Sequence, residues 1–311
     1  MTLTGTRFAE RLDAGTPLLL DAAMGSDLDR RGLATTLPLW SARGLLDRPD
    51  LVRQIHLENL LAGADIITTN TFRTTGRTLR YAGLDPRRAA ELDSLAVRLA
   101  ADACGEANRE DALIAGSIAP LEDCYLPVFE TPPDMASQEH AAQARNLAAA
   151  GADFLMVETM PTVAEARIAL QAALGTGLPA TIGFVCGPPV DGGPVRLLSG
   201  ETLREAVEAV TPLGPAAILV NCAPPPVITA ALAELVEFTD LPTGGYANVG
   251  HVDDHVGWSP AGGMTGEQYA EHALRWLQMG ARVVGGCCGT HPVHTAALRQ
   301  AIERYTAADA A

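Results

Sequence analysis

Three cysteines and two acids draw attention because each closes an apolar run. Asp21 follows Leu18-Leu19-Leu20, and Glu158 follows Phe154-Leu155-Met156-Val157. Cys222 follows Ala217 to Asn221, and Cys287-Cys288 follow Val283-Val284-Gly285-Gly286. Adjacent cysteines rarely join in a disulfide, because the ring so formed is strained. Two readings of the pair remain. Cys287 and Cys288 can offer two thiolates to one cation, with Cys222 as a third. Three sulfurs and one open position suit Zn²⁺, which is soft enough for thiolate and prefers four ligands. A substrate thiol in the open position would then lose its proton at neutral pH. Alternatively, the pair simply packs at a strand end, as buried cysteine often does. Gly285-Gly286 also fits a phosphate-binding loop of a barrel, although no basic residue lies beside it.

These residues share one site only if the runs that carry them lie side by side. The runs are short, apolar and separated by amphipathic stretches, the pattern of parallel strands covered on both faces. They fall at 18–22, 65–71, 113–117, 154–158, 180–185, 217–222 and 281–286, with a weaker, glycine-bearing one at 244–249. Helices are predicted over 49–62, 86–103, 136–150, 163–174, 201–210, 226–238, 266–279 and 292–305, several with Pro near the first turn. Three of them end on a similar phrase: Ala62-Gly63-Ala64-Asp65, Ala150-Gly151-Ala152-Asp153 and Met279-Gly280-Ala281-Arg282. Glycine there closes a helix and a short loop enters the next strand. Eight βα units in 311 residues predict a single-domain α/β protein spanning 1–311, a (β/α)8 TIM barrel. An open doubly wound sheet is the alternative, but no GxGxxG follows the first run. In a barrel, residues at the C-terminal strand ends meet on one rim, so the sulfurs and carboxylates would converge there.

Composition excludes several chemistries. Hydrophobic residues make up 48% and charged residues 19%, enough for a large core. All 22 basic residues are Arg, so lysine Schiff bases, pyridoxal phosphate chemistry and a P-loop are ruled out. With 37 acids the net charge is −15, which disfavours nucleic acid and anionic membranes as partners. No uncharged apolar run reaches the roughly 18 residues a membrane span needs. The first twenty residues carry Glu10 and Asp13 ahead of a short apolar stretch, unlike a secretory signal. A cytoplasmic chain with reduced thiols is expected. Oligomeric state cannot be read from the sequence. His251 and His255 are spaced like metal ligands on a helix, but Asp253, Asp254 and Gly257 predict a solvated loop. His291 and His294 are expected as surface or capping residues, and Cys104 as packing. Cys124 and Cys186 have no partner the sequence identifies.

The chain resembles the homocysteine S-methyltransferase family of zinc enzymes. The resemblance runs through Asp21-Ala22-Ala23-Met24-Gly25-Ser26, Trp40-Ser41-Ala42, Ala62 to Phe72, and Gly151-Ala152-Asp153 leading to Glu158-Thr159. It closes with Val220-Asn221-Cys222 and Gly285-Gly286-Cys287-Cys288-Gly289-Thr290. It implies Cys222, Cys287 and Cys288 as zinc ligands, and Asp21 and Glu158 as the acids that hold the amino group of homocysteine. Groups near Met24, Gly25 and Ser117 would assist. The implied reaction is direct displacement of a methyl group from a small sulfonium or quaternary ammonium donor by the homocysteine thiolate, giving methionine. Aromatic faces often hold such cations. The candidates are Trp40, Phe72, Tyr125, Tyr246 and Trp258, with Trp40 and Tyr246 expected at the site. The segments 117–125 and 244–248 depart from the better characterised members, which leaves open the donor and the alternative of a different thiol acceptor. Two other classes compete: a zinc hydrolase that activates water, and a zinc-binding protein without turnover. Three thiolates make a poor Lewis acid, which argues against the hydrolase; the paired carboxylates argue against simple storage.

Overall fold

A computed structural model describes residues 4–253, 257–259 and 263–309. Eight parallel strands form one sheet: β1 Leu18–Leu19, β2 Ile66–Thr68, β3 Leu113–Ile118, β4 Phe154–Met160, β5 Ala180–Phe184, β6 Ala217–Asn221, β7 Thr243–Ala247 and β8 Val283–Gly286. Each pairs with its neighbour in sequence, and β1 pairs with β8 through Leu18↔Val283. A parallel bridge, Leu20↔Ile66, joins β1 to β2, and Asp21 N–H donates to the Ile66 carbonyl at 3.0 Å. The sheet therefore closes into a (β/α)8 barrel, and the open-sheet alternative falls. No helix among the described residues is long and apolar enough to cross a membrane.

The glycines of β7 explain its weak signal in the sequence. A Cβ at Gly244 would sit 2.8 Å from Leu219 Cδ2, and one at Gly245 would sit 2.7 Å from Ile228 Cγ2. The strand has no room for the β-branched residues that usually mark one.

Side chains alternate along each strand. Leu113, Ala115, Phe154, Met156, Ala217, Leu219 and Tyr246 fill the barrel interior, while Ile114, Leu155, Ile218 and Val220 pack under the helices. The N-terminal helix Thr4–Asp13, which the periodicity does not reveal, plugs the lower mouth: Phe8 stacks on Phe154 with ring centroids 3.8 Å apart. Short helices at Met24–Arg30, Arg43–Asp47 and Gly76–Tyr81 also escape the pattern, because none is long enough to show a repeat. The segments 251–253 and 257–259 pair as an antiparallel ribbon. His255, and the side chains of His251 and Trp258, lie outside the described residues.

The recurring glycine phrase proves to be architectural. Gly63, Gly151 and Gly280 all take left-handed φ of 102°, 102° and 97°. The aspartates that follow two of them accept backbone N–H groups of the neighbouring strands: Leu19 to Asp65 at 2.9 Å and Ile114 to Asp153 at 2.8 Å. Arg11 and Arg299 neutralise Asp65. These acids sit at the N-terminal ends of the strands, opposite the site.

Candidate metal centre

At the C-terminal rim, strand ends bring together residues that are far apart in sequence. The Sγ atoms of Cys222, Cys287 and Cys288 lie within 4.8 Å of one another. Cys287 Sγ is 3.1 Å from Cys222 Sγ. Backbone geometry sets this arrangement. Cys222 leaves β6 with a left-handed φ of 59°, unusual for a residue with a side chain, and its N–H donates to the Tyr246 carbonyl at 3.1 Å. Cys287 N–H donates to the Ala247 carbonyl at 2.9 Å, and the Cys288 carbonyl accepts from Val249 N–H at 2.7 Å. Gly285 packs so tightly on β1 that a Cβ there would lie 2.5 Å from Leu20 Cβ. Gly286 faces the Thr290 side chain in the same way. The glycine pair is taken up by packing and does not form a phosphate cradle.

The electrostatics of the cluster favour a cation. Hydrogen bonds from the Cys222 and Cys287 thiols hold the Cys288 thiol well below its ordinary range. Hydrogen bonding to Cys222 and then to Cys288, together with burial, pushes the Cys287 thiol well above it. Three sulfurs this close together, two of them buried, ionise together only if positive charge arrives, and no Lys exists to bring it. Beside them, Asn248 donates through Nδ2 to the Cys222 carbonyl at 2.9 Å, while its Oδ1 is buried without a partner. A soft sulfur trio with an unsatisfied oxygen nearby fits a tetrahedral divalent cation. Nothing in the sequence singled out Asn248, which sits just past the weak strand.

Two carboxylates share this rim. Asp21 Oδ1 accepts from Thr68 Oγ1 at 2.8 Å, and Oδ2 from Thr68 N–H at 3.0 Å. Its pKa is pushed up to about 7, chiefly by burial, with the Glu158 charge adding to the rise. Glu158 accepts from Ser117 Oγ at 2.5 Å and from Tyr246 Oη at 3.0 Å. Burial lifts it too to about 7 against those two hydrogen bonds. Both acids are buried, and among the described residues no Arg is bound to either; a ligand ammonium would meet that need. His56 lies beneath Asp21, its Nδ1 4.0 Å from Oδ2; burial lowers its pKa to about 3, so it is neutral.

The remaining expected residues surround this core. Met24 and Gly25 open the helix after Asp21, and Ser26 Oγ accepts Gly289 N–H at 2.8 Å, which ties the β1 and β8 loops together. Gly25 lies under the Trp40 indole, where a Cβ would be 2.6 Å from Cζ2. Trp40 is half-buried and meets Phe72 edge-on at 5.5 Å. The Tyr246 ring, expected as a face for a cationic donor, is instead packed inside the barrel with 1% exposure, and its hydroxyl serves Glu158. Tyr125, only one aromatic among several in the sequence, puts its hydroxyl 3.2 Å from Cys222 Sγ. Cys104 packs in the core and Cys124 and Cys186 are also buried. His294 is not a surface residue: it is 4% exposed, accepts His291 N–H through Nδ1, and pairs through Nε2 with the Met264 carbonyl.

Comparison with known proteins agrees with this geometry. A homocysteine S-methyltransferase of Escherichia coli (strain K12) is 32% identical over 302 residues, covering 93% of this chain and 96% of that protein. A selenocysteine Se-methyltransferase of Brassica oleracea var. italica is 28% identical, covering 93% of this chain and 89% of its own. The metallated form of the E. coli homocysteine methyltransferase MmuM superposes with a TM-score of 0.81 at 29% identity, covering 94% of this chain and 99% of that one. The sequence model of the homocysteine S-methyltransferases matches residues 18–302, and the chain belongs to that family.

Proposed function

We propose that this protein is a zinc-dependent methyltransferase that moves a methyl group from a small sulfonium or quaternary ammonium donor to the thiolate of homocysteine, giving methionine. The observation that carries this reading is the meeting of three sulfurs, those of Cys222 and Cys288 buried and that of Cys287 half-buried, with two buried, uncompensated carboxylates on one rim. Cys222, Cys287 and Cys288 would hold the zinc ion. When bound, zinc supplies the positive charge that makes a substrate thiol ionise near neutral pH. Asp21 and Glu158 would bind the ammonium group of the amino acid. Thr68, Ser117 and Tyr246 fix those carboxylates before substrate arrives, so little ordering remains to be done on binding. Groups near Met24 and Gly25 would border the amino acid, and the Trp40 indole would offer its face to the donor cation.

In the net reaction a new S–CH3 bond forms on the homocysteine sulfur as the donor's S–CH3 or N–CH3 bond breaks. The bonding pair leaves with the donor, which departs as a neutral thioether or amine. No proton moves at the methyl carbon, so no general base is required. The chain's contribution is orientation and the exclusion of water. A reducing, cytoplasmic setting suits three free cysteines at one site.

The test is a donor screen with zinc-loaded, reduced protein. Homocysteine is supplied with S-methylmethionine, a betaine or a methylfolate, and methionine is measured. Selenocysteine is included as an acceptor, in view of the plant relative. Ester or amide hydrolysis without any methyl transfer would overturn the proposal.

A further inference from the structure

One side chain reaches the sulfur cluster without a place in the chemistry above. Tyr125 lies in the loop between β3 and the helix Pro133–Ala150. Its Oη is 3.2 Å from Cys222 Sγ and 3.5 Å from the Cys222 carbonyl oxygen. Asn248 Nδ2 is 3.4 Å from the same Oη and 2.9 Å from the same carbonyl. An amide NH2 only donates, so it engages a lone pair of Oη and leaves the hydroxyl proton for another acceptor. The carbonyl is the farther choice and already accepts from Asn248. A metal-bound Cys222 has no proton of its own to give. The remaining direction is O–H donating to sulfur.

The loop is held for this purpose on both sides. Leu121 N–H donates to Glu165 Oε1 at 2.7 Å, and His140 Nε2 meets the same oxygen at 3.1 Å. Arg73 donates to the Glu122 carbonyl at 2.8 Å, and Thr131 Oγ1 to Glu122 Oε1 at 2.5 Å. Tyr125 N–H donates to Asp123 Oδ1 at 2.9 Å. A partly exposed tyrosine is thereby fixed against a buried sulfur.

We propose that Tyr125 is a positioning residue that donates a hydrogen bond to the Cys222 thiolate and draws charge away from it. The inference rests on the metal-binding reading above. Three thiolates and a substrate thiolate would place four negative charges around one divalent cation. A hydrogen bond to one protein sulfur reduces its donation to the cation, which leaves more positive charge to hold the incoming sulfur. It also makes Cys222 a poorer nucleophile than the substrate, whose sulfur must take the methyl group.

The test uses cobalt(II)-substituted full-length protein, because thiolate-to-cobalt absorption reports the electron richness of the ligands. Tyr125→Phe should bind one equivalent of cobalt, as the native chain does, with that absorption moved to longer wavelength. Its affinity for homocysteine, titrated on the same band, should fall about three- to tenfold, the worth of one hydrogen bond. Replacing the tyrosines with 3-fluorotyrosine, a stronger donor, should move the band to shorter wavelength, and this shift should vanish when the labelled chain also carries Tyr125→Phe. Equal cobalt content with superimposable spectra in native and Y125F protein would overturn the inference. Failure of the native chain to show any thiolate-to-cobalt band would instead remove the metal reading itself.

Discussion

The two halves of the site are built by different means. The sulfur half, on β6 and β8, is set by backbone: a left-handed Cys222, sheet-like hydrogen bonds to Tyr246 and Ala247, and glycines pressed against Leu20 and Thr290. The carboxylate half, on β1 and β4, is set by side chains: Thr68 on Asp21, and Ser117 with Tyr246 on Glu158. A backbone-defined centre tolerates little, because moving one ligand moves its strand end. A centre defined by side-chain hydrogen bonds can lose one contact and keep the rest. Changes in the first half should therefore act all-or-none, and changes in the second should be graded.

The largest effect is expected from Cys288→Ala, which should abolish both metal content, by elemental analysis, and methionine formation. Full activity in that variant would break the assignment of the sulfur half. Next comes Gly285→Ala. Its new methyl overlaps Leu20, so the chain should lose about 1–3 kcal/mol of stability in denaturant titration. It should also bind metal poorly, although no ligand has been touched.

Tyr246→Phe probes the other half. It removes one hydrogen bond to a charged group, worth about 1.5–3 kcal/mol, so the KM for homocysteine should rise about tenfold or more while metal content stays unchanged. A loss of metal in this variant would show that the two halves are not independent. The native pH profile should show the same carboxylates: below about 7, protons on Asp21 and Glu158 displace the ammonium group, and kcat/KM for homocysteine should fall. Removing the Tyr246 hydroxyl should move that acid limb to higher pH.

The last prediction concerns stability, and leaves metal content untouched. The folded chain raises the pKa of Asp21 from 3.8 to about 7, so between those values it holds a proton that the unfolded chain has lost. Its contribution is retained at low pH and declines as pH rises through that window. Asp21→Asn should therefore gain in melting temperature relative to the native chain as pH rises from about 4 to about 7. A constant difference would mean that Asp21 is ionised throughout.

Much of this was legible in the residue order. The apolar runs marked seven strands plainly, and the Asp, Glu and Cys residues that end them gave the rim its chemistry. The eighth strand was faint because tight packing demands glycine at 244 and 245. The plug helix Thr4–Asp13 leaves little periodic signal, because only Phe8 and Leu12 join the interior cluster at helical spacing. Tyr246 offers an aromatic face in the sequence, which does not say which way a ring turns or whether its hydroxyl has a partner. Asn248, His56 and Tyr125 carried no motif at all.

The sequence by itself determined which atoms are available: six thiols, no lysine, and acids at strand ends, alternating with helices in an order that leaves a barrel as its closed solution. Distance was decided only by tertiary structure. Cys222 and Cys287 are 65 residues apart, and Ser117 and Glu158 are 41 apart. Strand pairing and barrel closure bring them into contact and remove the water that would otherwise solvate them. That burial, which no residue carries alone, lifts the carboxylates toward neutrality, and the same closure gathers a sulfur trio that could hold a cation.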